Sequence, residues 1–201
     1  MNTNSRVTVG DLLGRLAIVT FYVWQAIRLV QQSRLSASLF LISGLLVVFF
    51  TVIRRPATQV EQSMGGRIVA LVGTLGPLAF RPAELTLLPD AASAVIILIG
   101  VALAVATLGA LGRNFGIVAA HRGISETGTY ALVRHPLYAS YFFMHLGFVL
   151  ANASTWNVCI WVMADGAQIA RTLYEERVLR TDTAYCAYVE RVRWRLIPGV
   201  F

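Results

Sequence analysis

Long apolar stretches recur along this 201-residue chain, and they constrain its fold more than any other feature. Apolar residues make up 57% of the sequence and charged residues 13%, whereas soluble domains carry about 25% charged residues. A helix that crosses a bilayer core about 30 Å thick needs about 20 apolar residues. Candidate spans lie at 12–31, 35–53, 68–88, 91–111, 137–153 and 155–171. The sequence therefore predicts an all-α fold, a polytopic membrane helix bundle.

The third of these stretches is the least regular. Its uninterrupted apolar part runs only from Ile68 to Phe80 and contains two glycines and Pro77. Membrane helices tolerate such residues when neighbouring groups satisfy the freed backbone, so we expect residues 68–88 to cross the bilayer, with a re-entrant piece as the alternative. The predicted bundle has about six transmembrane helices (five to six), followed by a C-terminal amphipathic cytoplasmic helix.

The basic residues are distributed unevenly between the two predicted membrane faces. All 17 are arginines, and if the N-terminus is cytoplasmic, only Arg28, Arg34 and Arg81 fall on the opposite face. This asymmetry follows the positive-inside bias. It predicts an integral, multi-pass membrane protein whose active site faces the cytoplasm. The formal net charge of +7 then points to the lipid bilayer as the partner, and no nucleic acid is needed to explain it.

Polar residues are concentrated in the second half of the chain. We interpret residues 1–90 as an N-terminal transmembrane scaffold. Residues 91–201 carry the polar loop 112–136 and the tail 171–201, and we interpret them as the catalytic core of one continuous membrane domain. The two cysteines lack the spacing of a zinc site, so no metal is expected.

A histidine stands directly before the fifth predicted span. Pro136 suits the first turn of a helix, so His135 lies just ahead of that helix and Tyr138 lies in its first turn. The N-terminal amides of this helix could hold an anionic group. A lone histidine at a membrane boundary is also often a hydrogen-bonded interface residue. His145, two turns beyond Tyr138 on the same face, is more often structural than functional.

The last predicted span continues into the tail with a polar face. Arg171 and Glu175 are four residues apart and therefore share one side of the helix, which Asp165 and Gln168 extend inward. An ionisable residue below the headgroups, such as Asp165, normally faces a cavity or a partner. The alternative is an arginine–carboxylate pair that only anchors the helix end.

These motifs, taken in order, carry a family resemblance. They are G-R-N-F-G-I-V at 112–118, then T-G-T-Y, L-V-R-H-P-L-Y, Y-E-E-R-V-L, A-Y-C-A-Y and R-L-I-P-G. Together they resemble the isoprenylcysteine carboxyl methyltransferase-like family of integral membrane methyltransferases. The resemblance covers about the last half of the chain. It implies a helical membrane enzyme that transfers a methyl group from S-adenosylmethionine.

The resemblance also implies roles for individual residues. Glu175 matches a carboxylate that contacts the cofactor, and Arg171 matches an arginine assigned to the methyl acceptor, so these two are the predicted catalytic residues. The other predicted cofactor-binding residues lie in the loop and at the start of the fifth span. They are Arg122, Gly123, Ile124, Ser125, Tyr130, His135, Pro136, Leu137 and Tyr138.

The predicted function is therefore methyl transfer from S-adenosylmethionine to a lipophilic or small acceptor, with carboxylates, amines and thiols all open. The methyl donor is already activated, so the protein mainly has to align the reactants and exclude water. Two departures from the resembled family, Ala120 in place of glutamine and Ala139 in place of glycine, leave the acceptor open. The alternatives are an NADPH-dependent oxidoreductase like the membrane sterol reductases, which have asparagine where Leu137 stands, and a non-catalytic membrane scaffold.

Overall fold

The structure, a computed structural model, describes residues 9–53, 59–60, 63–111, 120–121 and 124–201. Within these residues the regular secondary structure is helical, as predicted, apart from one pair of two-residue strands. The seven α-helices are α1 Val9–Val30, α2 Leu35–Ile53, α3 Met64–Leu75, α4 Asp90–Leu111, α5 Pro136–Ala151, α6 Thr155–Leu179 and α7 Thr183–Arg191. Strands β1 Gln59–Val60 and β2 Ala120–His121 pair antiparallel, and short 3-10 helices cover Gly76–Ala79 and Gly128–Ala131.

Two of the described helices are long and apolar enough to cross a membrane by length and composition. These are α2 and α4, with mean hydropathies of 2.4 and 2.7. Helix α5 and the segment Met64–Ala79 are shorter apolar helices. The helices are consistent with the predicted membrane bundle, and the number of spans stays a prediction.

The third predicted span differs from the observed helix. Helical structure begins at Met64 and ends at Ala79, so it does not reach residue 88. Pro77 lies in the closing 3-10 helix, and proline ends helices because it lacks a backbone N–H donor. Twelve α-helical and four 3-10 residues extend about 26 Å in total, slightly less than a bilayer core of about 30 Å. The segment 80–89 is irregular.

Two side-chain amides, one directly after α5 and one in α6, hold this irregular segment in place. Asn157 Oδ1 accepts a hydrogen bond from the backbone N–H of Arg81 at 3.0 Å, and Asn157 Nδ2 donates to the Arg81 carbonyl at 2.8 Å. Asn152 Oδ1 accepts from the Ala83 N–H at 3.2 Å. These bonds satisfy backbone groups that a continuous helix would have paired internally.

Helices α4 and α5 approach each other closely through two glycines. A Cβ atom on Gly100 of α4 would lie 2.8 Å from the Ser140 carbonyl oxygen, and one on Gly147 of α5 would lie 2.8 Å from the Ser93 carbonyl oxygen. Small residues allow such close backbone packing in membrane helices, where no hydrophobic effect drives association. This packing fixes α5, and with it His135 at the start of α5.

Candidate active site

The site is built around two adjacent glutamates near the end of α6. Successive residues on an α-helix point about 100° apart, so Glu175 and Glu176 contact different neighbours. We refer to Glu176 with Arg134, His135 and Arg195 as the Glu176 cluster. We refer to Arg171, Glu175 and Tyr138 as the Arg171 cluster.

In the Glu176 cluster, one buried carboxylate is surrounded by cations. Glu176 Oε1 lies 2.9 Å from Arg134 Nη2, and both side chains are 4% exposed. Arg195 binds both oxygens of Glu176, with Nε 3.1 Å from Oε1 and Nη2 3.1 Å from Oε2. Bidentate pairs of this kind are strong and fix geometry. His135 Nε2 lies 3.4 Å from Oε1 and completes the cluster.

Backbone hydrogen bonds reinforce the Glu176 cluster. The N–H of Arg134 donates to the Trp194 carbonyl at 2.9 Å, and the N–H of His135 donates to the Arg195 carbonyl at 2.8 Å. The Glu176 carboxylate therefore joins the start of α5, the end of α6 and the C-terminal segment.

Glu176 stays ionised in this environment. Burial by itself raises the pKa of the carboxyl, but hydrogen bonds from His135 and Arg195 and the charges of His135 and Arg134 lower that pKa to about 2. All its acceptor capacity within the described residues is directed at arginine and histidine side chains. The Glu176 cluster therefore stabilises the junction between α5, α6 and the C-terminal segment.

The Arg171 cluster is more open. The Tyr138 hydroxyl donates to Glu175 Oε1 at 2.5 Å, and Arg171 Nε lies 3.4 Å from the same oxygen. The Arg171 guanidinium carbon lies 5.2 Å from the centroid of the Tyr138 ring, a cation–π contact. The Glu175 side chain is 20% exposed, against 4% for Glu176. Glu175 can therefore reach a ligand that Glu176 cannot.

His135 connects the two clusters. Its Nδ1 lies 3.5 Å from Glu175 Oε2, while its Nε2 faces Glu176. Burial acts to lower the pKa of His135, but the hydrogen bonds and negative charges of Glu175 and Glu176 raise it. The imidazole thus lies between two carboxylates, which favour its cationic form.

A central cavity lies between α1, α2, α3, α5 and α6. It comprises about 680 Å³ of space, part of it open to the exterior, and its walls are mostly apolar. Tyr22, Val47 and Thr74 contribute walls from the first three helices, and Arg171 and His145 contribute polar groups. Residues before position 90 thus line the same cavity as Arg171. The predicted division into a scaffold at 1–90 and a catalytic core at 91–201 stays a prediction.

Helix α3 positions the arginine that lines this cavity. Gln168 Nε2 donates to the Gly73 carbonyl at 2.9 Å, and Gln168 Oε1 accepts from Arg171 Nη1 at 3.4 Å. Arg171 Nη1 also lies 3.5 Å from Thr74 Oγ1. Arg171 therefore contacts Glu175 on one side and the central cavity on the other.

Comparison with known families decides the identity of this region. Residues 89–182 match the sequence model of a family described as phospholipid methyltransferase. These residues form a phospholipid methyltransferase domain. That family includes the isoprenylcysteine carboxyl methyltransferase-like membrane enzymes, so the predicted resemblance is confirmed. A comparison with curated proteins found no match.

The methyltransferase domain contains every predicted site residue but not every part of the site. It spans α4, α5 and α6, whereas Arg195 and helices α1 to α3 lie outside it. The structure brings His135, Tyr138, Arg171 and Glu175 into contact. Pro136 and Leu137 are buried in the first turn of α5.

The structure describes three of the five predicted cofactor-binding residues in the range 122–130, namely Ile124, Ser125 and Tyr130. Arg122 and Gly123 lie outside the described residues. Ile124 packs against the tyrosines of α7, and the Ser125 hydroxyl donates to the Ala110 carbonyl at 2.9 Å. Tyr130 is buried, and its carbonyl accepts a hydrogen bond from the Tyr188 hydroxyl at 2.7 Å.

Sequence reasoning missed the role of Glu176 and the lining of the central cavity. The motif Y-E-E-R-V-L contains both glutamates, but only Glu175 is assigned a role from the sequence. The available signal was the arginine-rich segment near Arg195, because a buried carboxylate needs a cationic partner.

Proposed function

We propose that this protein is an integral, multi-pass membrane methyltransferase that uses S-adenosylmethionine and acts on a lipophilic or small methyl acceptor. The observation that carries the proposal is the position of Arg171 within a methyltransferase domain. It contacts Glu175 at 3.4 Å and also lines the apolar central cavity. One side chain thus stands between a polar site and an apolar one.

The residues around Glu175 suit the cofactor by their chemistry. S-adenosylmethionine supplies an activated methyl group on a cationic sulfur, together with a charged amino group and ribose hydroxyls. Burial acts to raise the pKa of Glu175, but the hydrogen bond and charge of His135, with Arg171 and Tyr138, lower it. Glu175 is therefore an ionised acceptor that is more exposed than Glu176 and can accept hydrogen bonds from such groups.

The central cavity suits the methyl acceptor. Its apolar walls accommodate a hydrocarbon chain, and the Arg171 guanidinium can donate to a carboxylate at one end of that chain. Aligning the two reactants and excluding water is the main task in such a reaction. A carboxylate is thus the acceptor group that Arg171 fits best. The proposed orientation places this end of the bundle at the cytoplasmic face, with the lipid bilayer and no nucleic acid as partner.

Titration calorimetry on the purified chain in detergent tests the class of enzyme. S-adenosylhomocysteine should bind with a measurable heat, and NADPH should not. Binding of NADPH alone would favour the sterol reductase-like alternative. Absence of binding for both would favour a non-catalytic scaffold.

A further inference from the structure

A second polar pair lies inside the bundle, away from both glutamates. His145 Nδ1 of α5 lies 2.7 Å from Asp165 Oδ1 of α6. The two residues are 6% and 8% exposed. Ionisable residues within membrane-spanning helices are costly and normally face a cavity or a partner. The pair therefore calls for an explanation beyond helix packing.

This pair leaves one nitrogen of the imidazole available. A carboxylate only accepts hydrogen bonds, so it places the proton of the neutral His145 ring on Nδ1 and leaves Nε2 as an acceptor. Within the described part of the chain, Nε2 has no hydrogen-bond partner, and His145 lines the central cavity. His145 thus offers an acceptor nitrogen to a molecule in that cavity.

Aromatic neighbours hold the imidazole in this position. Its ring stacks on Tyr141, with centroids 6.2 Å and planes 18° apart, and it meets Phe80 edge-on with centroids 5.7 Å apart. Asp165 acts through His145 and is a positioning residue. The ring is therefore fixed before any ligand arrives.

Helix geometry gives the depth of this nitrogen relative to Arg171. His145 follows Tyr138 by seven residues on α5, which corresponds to about 10 Å along the helix. Tyr138 contacts the Arg171 guanidinium. The central cavity therefore has polar groups at two levels, Arg171 and His145, within walls that are mostly apolar. A plain hydrocarbon chain would leave the deeper nitrogen without a hydrogen bond, and an unsatisfied buried polar group costs free energy.

We propose that His145 forms a second polar subsite that accepts a hydrogen bond from an O–H or N–H group on the methyl acceptor. The methyl acceptor is then an amphiphile with two polar functions about 10 Å apart, one at Arg171 and one at His145. This inference rests on the proposed function only in taking the central cavity as the site of the methyl acceptor.

Two matched probes test the subsite on the full chain in detergent. Decanoate carries a carboxylate for Arg171 and a plain chain, and its ω-hydroxy derivative adds one hydroxyl at the far end of that chain. Competition binding should show that the wild type binds the hydroxylated probe at least as tightly as decanoate. In an apolar cavity without a partner, the hydroxyl would instead weaken binding, because burying it unpaired is costly.

Substitution of His145 should reverse this preference. His145→Phe keeps an aromatic ring against Tyr141 but lacks the nitrogen. It should weaken binding of the hydroxylated probe about tenfold, because one buried hydrogen bond is lost, and it should leave binding of decanoate almost unchanged. Phe142→Leu, an exposed position on the same helix that does not line the central cavity, is the control and should keep the wild-type preference.

The double variant His145→Phe/Asp165→Leu guards against misfolding, because it also removes the carboxylate that the single variant leaves unpaired. It should lose the preference in the same way. A preference that survives both substitutions, or a wild type that binds neither probe or favours decanoate, would overturn the subsite. Binding of S-adenosylhomocysteine is measured in parallel. If S-adenosylhomocysteine does not bind but the preference for the hydroxylated probe persists, the methyltransferase proposal is rejected and the subsite stands.

Discussion

The Glu176 cluster and the Arg171 cluster are neighbours on one helix, yet they differ in what surrounds their carboxylates. Glu176 is 3% exposed and contacts Arg134, Arg195 and His135. Glu175 is more exposed and receives a hydrogen bond from an uncharged tyrosine hydroxyl. A buried carboxylate whose two oxygens are both bound by cations supports the fold. A carboxylate at the edge of a cavity remains able to bind a ligand.

His135 is the point at which the two regions meet, because its two nitrogens face the two different glutamates. A substitution at one glutamate can therefore affect the other glutamate through the His135 ring. The clearest way to separate the regions is to alter each glutamate and measure stability and ligand binding independently.

Glu176→Gln should give the largest change in stability. The substitution keeps the shape of the side chain but removes the negative charge opposite Arg134, which is 4% exposed. Breaking a buried pair by neutralising one partner costs about 3–5 kcal/mol. Thermal unfolding in detergent should show a Tm lower by roughly 6–20 °C. Glu190→Gln, on an exposed face of α7, is the matched control and should leave the Tm unchanged.

Acid titration sharpens this prediction. The pKa of Glu176 is about 2 in the folded protein and about 4.3 for an ordinary glutamate, so its stabilising effect is complete above the ordinary value. The effect is lost as the pH falls toward about 2. The Tm difference between wild type and Glu176→Gln should therefore shrink over that range. A difference that does not depend on pH would show that the charge of Glu176 is not what stabilises the junction.

Much of this comparison could be predicted from local sequence, and the rest could not. The apolar stretch 35–53 coincides with α2, and the four-residue spacing of Arg171 and Glu175 places them on one face, because both follow from helix periodicity. The predicted third span is too long because hydrophobicity continues beyond Pro77, where helical hydrogen bonding ends.

The partners of Glu176 were not predictable in the same way. Arg134 and Arg195 reach it from segments 42 residues before it and 19 residues after it, and such contacts depend on tertiary packing. The central cavity also depends on how α1 to α3 pack against α5 and α6. The pattern of apolar residues predicts that these helices exist, but it does not predict the space between them.

Arg171→Ala should have the next largest effect. We expect this substitution to slow turnover and to leave cofactor binding almost unchanged. The side chain is proposed to align the methyl acceptor, and misplacing a reactant by about 1 Å can cost about 100-fold in rate. Transfer of radiolabelled methyl from S-adenosylmethionine into a membrane lipid extract should fall about 100-fold. Binding of S-adenosylhomocysteine should change little.

Arg177→Ala is the control for this substitution, because Arg177 lies on the same helix but is exposed. It should keep both turnover and binding. If Arg171→Ala weakens S-adenosylhomocysteine binding as much as it slows turnover, then Arg171 belongs to the cofactor site and its assignment to the methyl acceptor is wrong.

Glu175→Gln should give the smallest effect, seen mainly in cofactor binding. Glutamine can still accept the Tyr138 hydrogen bond, so only the negative charge is lost. Losing a charge-assisted hydrogen bond to the cofactor should weaken S-adenosylhomocysteine binding by about tenfold in titration calorimetry. The Tm should fall by less than in Glu176→Gln, because Glu175 is partly exposed and solvent can screen the change. A contrary result would be a large loss of Tm with unchanged binding, together with strong coupling to Arg171→Ala in a double-mutant cycle. Glu175 and Arg171 would then form a structural ion pair. Both glutamates would stabilise the fold, and they would differ only in how much each contributes.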